Sequence, residues 1–214
     1  MTRTGPLSDR TALTLLIGGL TVANVARSTV VPRRWHLPYN VAMATYAVAV
    51  ARLGGLTTEE LGLSRARAGD GARVGAVAFG AISAIVAVGA VAGLLEDDRT
   101  DVPAADMVVR ALVVIPLGTV VAEELSFRGA LHGLLSRVTG PRPALVVGSV
   151  LFGLWHVAPV WSQGPATVAG TAVATTFAGA GFVWLRRRSG SVLAPMLAHL
   201  GTNSTTFALS WATS

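Results

Sequence analysis

Residues 123–129 read Glu-Glu-Leu-Ser-Phe-Arg-Gly, inside a stretch otherwise apolar enough to lie in a lipid bilayer. From Met107 to the C-terminus, Glu123 and Glu124 are the only acidic residues. Carboxylates at membrane depth are costly, and by default they mark a functional site facing a polar cavity or a partner. Two further spaced pairs bring polar residues into apolar segments downstream, Phe152 with His156 and His199 with Asn203.

On a helix, residues four apart share a face. Glu124 and Arg128 are so spaced, in the order that favours an ion pair, and His132 continues the stripe. Glu123 sits about 100° around the wheel, with Phe127 on its side. This spacing assigns Arg128 to neutralise Glu124 and leaves Glu123 for chemistry. The competing reading, two carboxylates satisfying one Arg, would be preferred in a solvated helix; a surplus carboxylate at membrane depth needs a reason. A single His such as His156 is ordinarily a hydrogen-bonded packing residue. His199 with Asn203 one turn later makes a two-donor surface suited to a developing oxyanion, against the alternative of an interhelical hydrogen bond. Ser126 and Ser204 have no base placed by the sequence, so a serine mechanism is disfavoured. Trp155, Trp161, Trp184 and Trp211 read as packing or interfacial residues.

Composition sets the elements that must carry these groups. Of 214 residues, 52% are hydrophobic and 13% charged, where a soluble domain carries about 25% charged residues; the mean hydropathy is +0.59. This is a membrane composition. The net charge of +6 is scattered between apolar runs, with no basic stripe or interleaved aromatics, so nucleic acid is not a partner and the positive-inside bias explains the charge. Every basic residue is Arg, a composition bias that points to a bacterial cell membrane. With no Cys, disulfides, thiolate sites and cysteine catalysis are excluded.

A bilayer-crossing helix needs about 20 mostly apolar residues. The candidates are 11–31, 38–53, 72–95, 103–136, 142–158, 164–185 and 191–211. The expected fold is all-α: one multi-pass membrane domain over 1–214, with about seven transmembrane helices around a polar intramembrane cavity. The first stretch lacks a cleavage signature and reads as a retained span. The fourth is too long for one simple crossing, and Pro116 is placed to kink it. Thr57-Thr58-Glu59-Glu60 predicts a short capped helix at the interface, and residues 96–103 a polar loop. Putting the Arg-bearing connections (Arg65, Arg67 and Arg73; Arg137 and Arg142; Arg186, Arg187 and Arg188) in the cytoplasm makes spans three to seven alternate, with Arg33 and Arg34 the exception. The Arg186–Arg188 run reads as a topology determinant and no more. Glu123, His156 and His199 then stand roughly 21, 21 and 16 Å from their cytoplasmic helix ends, at about one level.

The three patches resemble the CAAX protease and bacteriocin-processing (CPBP, or ABI) family of intramembrane endopeptidases, which includes type II CAAX prenyl proteases. Its motifs are Glu-Glu-x-x-x-Arg, Phe-x-x-x-His and His-x-x-x-Asn, in that order on successive helices. Here they read Glu123-Glu124-Leu125-Ser126-Phe127-Arg128, Phe152-Gly153-Leu154-Trp155-His156 and His199-Leu200-Gly201-Thr202-Asn203. The resemblance covers 103–207, the expected catalytic core. It implies hydrolysis of a peptide bond near the C-terminus of a membrane-associated protein or peptide, CAAX-type or bacteriocin-like. By position, Glu123 would be the general base, polarising a water with His156; His199 and Asn203 would stabilise the oxyanion, and Arg128 would hold Glu124. The family has been described both as metalloproteases and as metal-free glutamate proteases. Glu123, His156 and His199 could form a zinc site with an open position, but no His-Glu-x-x-His helix exists, and Asn203 is a poor zinc ligand that fits an oxyanion role. The metal-free reading is preferred.

Two rivals stand beside it. A non-catalytic immunity or scaffold membrane protein would use the same cavity for binding. A small transporter would need inverted repeats or broken helices in matching halves, which the sequence does not display.

Overall fold

The computed structural model describes residues 5–92 and 104–212, and among them every regular element is helical. Seven long helices dominate: α1 (Asp9–Thr29), α2 (His36–Leu53), α3 (Ala68–Val91), α4 (residues 104–139), α5 (Pro141–Trp155), α6 (Pro165–Ser189) and α7 (Leu193–Ala212). Four stretches are long and apolar enough to cross a membrane: Asp9–Thr29, Arg65–Val91, Pro141–Gln163 and Pro165–Ser189. Seven long helices are present, as many as the expected crossings, but among the described residues only four are long and apolar enough to be marked as spans. The polar loop read at 96–103 lies outside the described residues.

Local chemistry sets the ends. The Ser8 hydroxyl accepts the Thr11 N–H and caps α1. Gly140 (φ 88°) stops α4, and Pro141 starts α5 where its missing N–H costs nothing. Gly190 in the left-handed region closes α6. Within α4 the winding alternates. Arg110–Val121 and Leu125–Leu131 take the wider π geometry, and the three residues Ala122–Glu124 between them are α-helical. Pro116 falls inside the first π stretch, so the fault expected there appears as overwide turns.

The outer surface is apolar. Val77, Ile85, Val88, Leu112 and Phe177 are largely exposed, a pattern that water would punish and acyl chains would solvate. The core joins Leu16 and Leu20 of α1, Met43 and Ala47 of α2, and Leu131 and Leu134 of α4 to the aromatic residues of α5 and α6. α3 packs along α7, and α5 along α6.

The Arg-rich end is a polar clamp. Arg137 donates to both oxygens of Glu60 at 2.7 Å, to Asp9 at 3.2 Å, and to the carbonyls of Gly54 and Gly55. That pairing holds the Glu60 carboxyl below its ordinary pKa. Residues 57–60 form the reciprocal capping box (Thr57 N–H to Glu60, Glu60 N–H to Thr57), but the segment is a run of turns rather than the predicted short helix. Arg186 corrects the topology-only reading: it is buried inside α6 and donates to the carbonyls of Glu59 and Glu60 at 3.0 Å. Gly62, at φ 72°, lies against that guanidinium, where a Cβ would collide with it.

Candidate active site

Three helices bring the motif residues together. α4 supplies Glu123, Glu124 and Arg128, α5 carries Phe152 and ends at Trp155 with His156 next in the chain, and α7 supplies His199 and Asn203. The ion pair foreseen from spacing is present. Arg128 Nη1 donates to Glu124 Oε1 at 3.0 Å, with the two side chains 1% and 0% exposed. A buried pair of this kind survives only when further contacts support it. Arg128 has them: its guanidinium carbon lies 3.8 Å from the Phe152 ring centroid and 4.9 Å from that of Phe182.

His199 also goes to Glu124, with Nδ1 at 2.8 Å from the same Oε1. Because its partner is a carboxylate, Nδ1 carries the proton and donates. Glu124 is thus a shared anchor for a guanidinium and an imidazole. The ring is further fixed by Phe182 of α6, stacked at 5.0 Å between centroids and 24° between planes. Sequence reasoning missed Phe182, which is one aromatic residue among many in an apolar helix with no spacing signal to set it apart.

Glu123 stands apart from that pair. Its side chain is 8% exposed, and Oε2 has no hydrogen-bond partner. The nearest imidazole is that of His156, with Nε2 at 3.8 Å, too long for a direct hydrogen bond. His156 Nδ1 lies 2.8 Å from the Phe152 carbonyl. A carbonyl can only accept, so in the neutral ring Nδ1 carries the proton and Nε2 presents a lone pair toward Glu123. Two acceptors therefore face each other across 3.8 Å. His156 is the more open of the two, at 26%. Asn203 is half-buried one turn beyond His199 and makes no side-chain hydrogen bond among the described residues. Ser126 spends its hydroxyl on the Ala122 carbonyl.

Aromatic edges wall the site. Phe127 meets Phe152 at 5.1 Å and Trp155 at 5.4 Å, and Phe152 meets the His156 ring at 4.6 Å. Beyond Phe127 and Trp155 lies a cavity of about 1420 Å³ between α1, α2, α4 and the α5 end. Its lining includes those two residues but none of Glu123, Glu124, His156 and His199.

Of the residues in the zinc alternative, Glu123 and His156 face each other, while His199 meets Glu124 through Nδ1 and keeps Nε2 free; among the described residues no group of three or more His, Asp or Glu side chains is gathered closely enough to hold a metal ion.

Residues 105–205, which carry all three motifs, match the family described as Rce1-like, type II CAAX prenyl endopeptidase Rce1-like. The match agrees with the resemblance carried by the motifs. Comparison with curated proteins and with solved structures gives no match.

Proposed function

We propose that this multi-pass membrane protein is an endopeptidase that hydrolyses a peptide bond of a membrane-associated protein or peptide, with residues 103–207 as its catalytic core inside one membrane domain. The observation that carries the reading is the facing pair of acceptors, Glu123 Oε2 and His156 Nε2, 3.8 Å apart. A water held between them donates one hydrogen to each and turns its lone pair outward, which is the posture of a nucleophile. Glu123 takes the proton as the water oxygen attacks the scissile carbonyl carbon, then returns it to the leaving amine. His199, when it also carries a proton on Nε2, and the Asn203 amide donate to the oxyanion. Glu124 orients His199 and supports that charge, and Arg128 holds Glu124 in place. No step is routed through a metal.

The test uses the chain purified in detergent with a membrane-anchored peptide reporter. Cleavage in ¹⁸O-labelled water should place one labelled oxygen in the new carboxyl group. His156→Ala should slow cleavage by about 100-fold or more while the protein stays folded. Activity that tracked one equivalent of metal and vanished on chelation would overturn the direct-base reading. Binding of the reporter without cleavage, with biological function intact in His156→Ala, would favour the scaffold reading.

A further inference from the structure

α1 and α2 lie outside the segment that matches the family, and the proposed reaction uses none of their side chains. Both nevertheless reach the backbone beside the two facing acceptors. Asn24 of α1 and Asn40 of α2 are 7% and 5% exposed, on helices that otherwise pack through apolar residues. Asn24 Nδ2 donates to the Trp155 carbonyl at 2.8 Å, and Asn40 Nδ2 donates to the Gly118 carbonyl at 2.6 Å. Carbonyls only accept, so chemistry fixes both amide orientations.

Both carbonyls sit at the roots of the facing acceptors. Trp155 is the last residue of α5, where helix carbonyls lose their intrahelical donors. His156 answers Phe152 through Nδ1 and Gly153 through its backbone N–H; Asn24 answers Trp155 from another helix. The Trp155 carbonyl and the His156 N–H belong to one planar peptide group, so this bond fixes the unit from which the imidazole projects. Gly118 stands in the last turn of the first π stretch, just ahead of the Ala122–Glu124 segment. A Cβ there would stand 2.9 Å from Leu37 Cδ1, so the bare glycine keeps the approach of α2 open.

The two anchors are joined to each other. Tyr39, next to Asn40, donates its hydroxyl at 3.0 Å to the carbonyl of Ala23, next to Asn24. A path from Gly118 to Trp155 therefore runs through Asn40, Tyr39, Ala23 and Asn24. Tyr46 ties α2 to α1 again through the Leu15 carbonyl at 2.7 Å. Cohesion alone does not account for the amides. Each Oδ1 is buried with no donor, a liability at a contact made only to hold helices together.

We infer that α1 and α2 form a brace that sets the gap between Glu123 and His156, with Asn24 and Asn40 as positioning residues and Tyr39 as the tie between them. The inference rests on the protease reading for the chemistry that the 3.8 Å gap supports. Such chemistry is sensitive to placement, since a shift of about 1 Å can slow it by about 100-fold.

The experiment pairs kinetics with a distance measurement on the full-length chain in liposomes. Asn24→Leu and Asn40→Leu each remove the donor at nearly constant size. With a membrane-anchored peptide reporter, each should lower kcat by about tenfold or more with KM and the melting temperature unchanged. The double variant should lose little more than either single one, because one cut already frees the gap. Tyr39→Phe, which keeps the ring and removes the tie, should lower kcat in the same direction. The distance is read by pulsed electron resonance between nitroxides on Leu117→Cys and Leu154→Cys, two exposed positions beside the anchors in a chain with no native Cys. Both Asn variants should widen or shift that distribution. Parent kcat in both Asn variants, or an unchanged distribution in both, would overturn the brace. So would losses explained by unfolded protein, a raised KM at parent kcat, or losses that multiply in the double variant, which would mark independent local contacts. If the unsubstituted chain cleaved nothing, the protease reading would fail, and the distance distributions would still decide whether the brace exists.

Discussion

Among the side chains, Glu124 is the hub: one oxygen receives both Arg128 at 3.0 Å and His199 at 2.8 Å. The Arg128 contact was legible from the i,i+4 spacing, because helical geometry alone places those side chains together. The His199 contact was not. Spacing said that a His on α7 reaches the same depth, but which of two adjacent carboxylates it meets depends on how α4 and α7 are rotated about their axes. The arrangement makes a stability prediction. Removing one partner strands a buried charge, so Arg128→Met should destabilise the protein by about 3–5 kcal/mol, and Glu124→Gln in the same chain should recover part of that loss. Thermal unfolding in detergent across the double-mutant cycle measures the coupling; additive losses would contradict a direct buried pair.

Helix against helix, the alignment depends on close packing that hydropathy does not encode. All seven long helices were foreseen in roughly the right places, since apolar runs punctuated by Gly, Pro and Arg declare themselves. The π winding of α4 was hidden, because only Pro116 hinted at it and the second π stretch, Leu125–Leu131, contains no breaker. Gly153 shows what holds α5. A Cβ there would collide with Thr176 Oγ1 and stand 2.6 Å from the Ala172 carbonyl of α6. Gly153→Ala should therefore push the two helices apart, destabilise the fold by about 1–3 kcal/mol and reduce cleavage, since His156 follows three residues later. Thr176→Ala should restore part of both. Full activity and stability in Gly153→Ala alone would mean that the α5–α6 contact does not position His156.

Across the whole molecule, the polar clamp at the Arg-rich end ties α1, the 54–62 turns, α4 and α6 into one body. Its Arg residues were visible in the sequence as a charge bias; their partners were not, because Arg137 meets Asp9 and Glu60 from across the chain. Glu60 has a folded-state pKa below its ordinary value, chiefly through its hydrogen bonds with Arg137. Its contribution to stability is therefore present above the unfolded carboxyl pKa and is lost as pH falls through the folded one. Glu60→Gln should lower the melting temperature at neutral pH, by a modest amount for a part-exposed pair. The difference from the parent should close in acid below the folded pKa. A difference that persisted unchanged there would exclude the Glu60 carboxylate as its source. The proposed catalysis rests on one carboxylate, Glu123, held beside one imidazole, His156, inside an apolar bundle. The most direct measurement is the turnover rate of Glu123→Gln, reconstituted in liposomes with a C-terminal peptide reporter. The account predicts a loss of about 100-fold or more with the melting temperature preserved; turnover at the parent rate would contradict it.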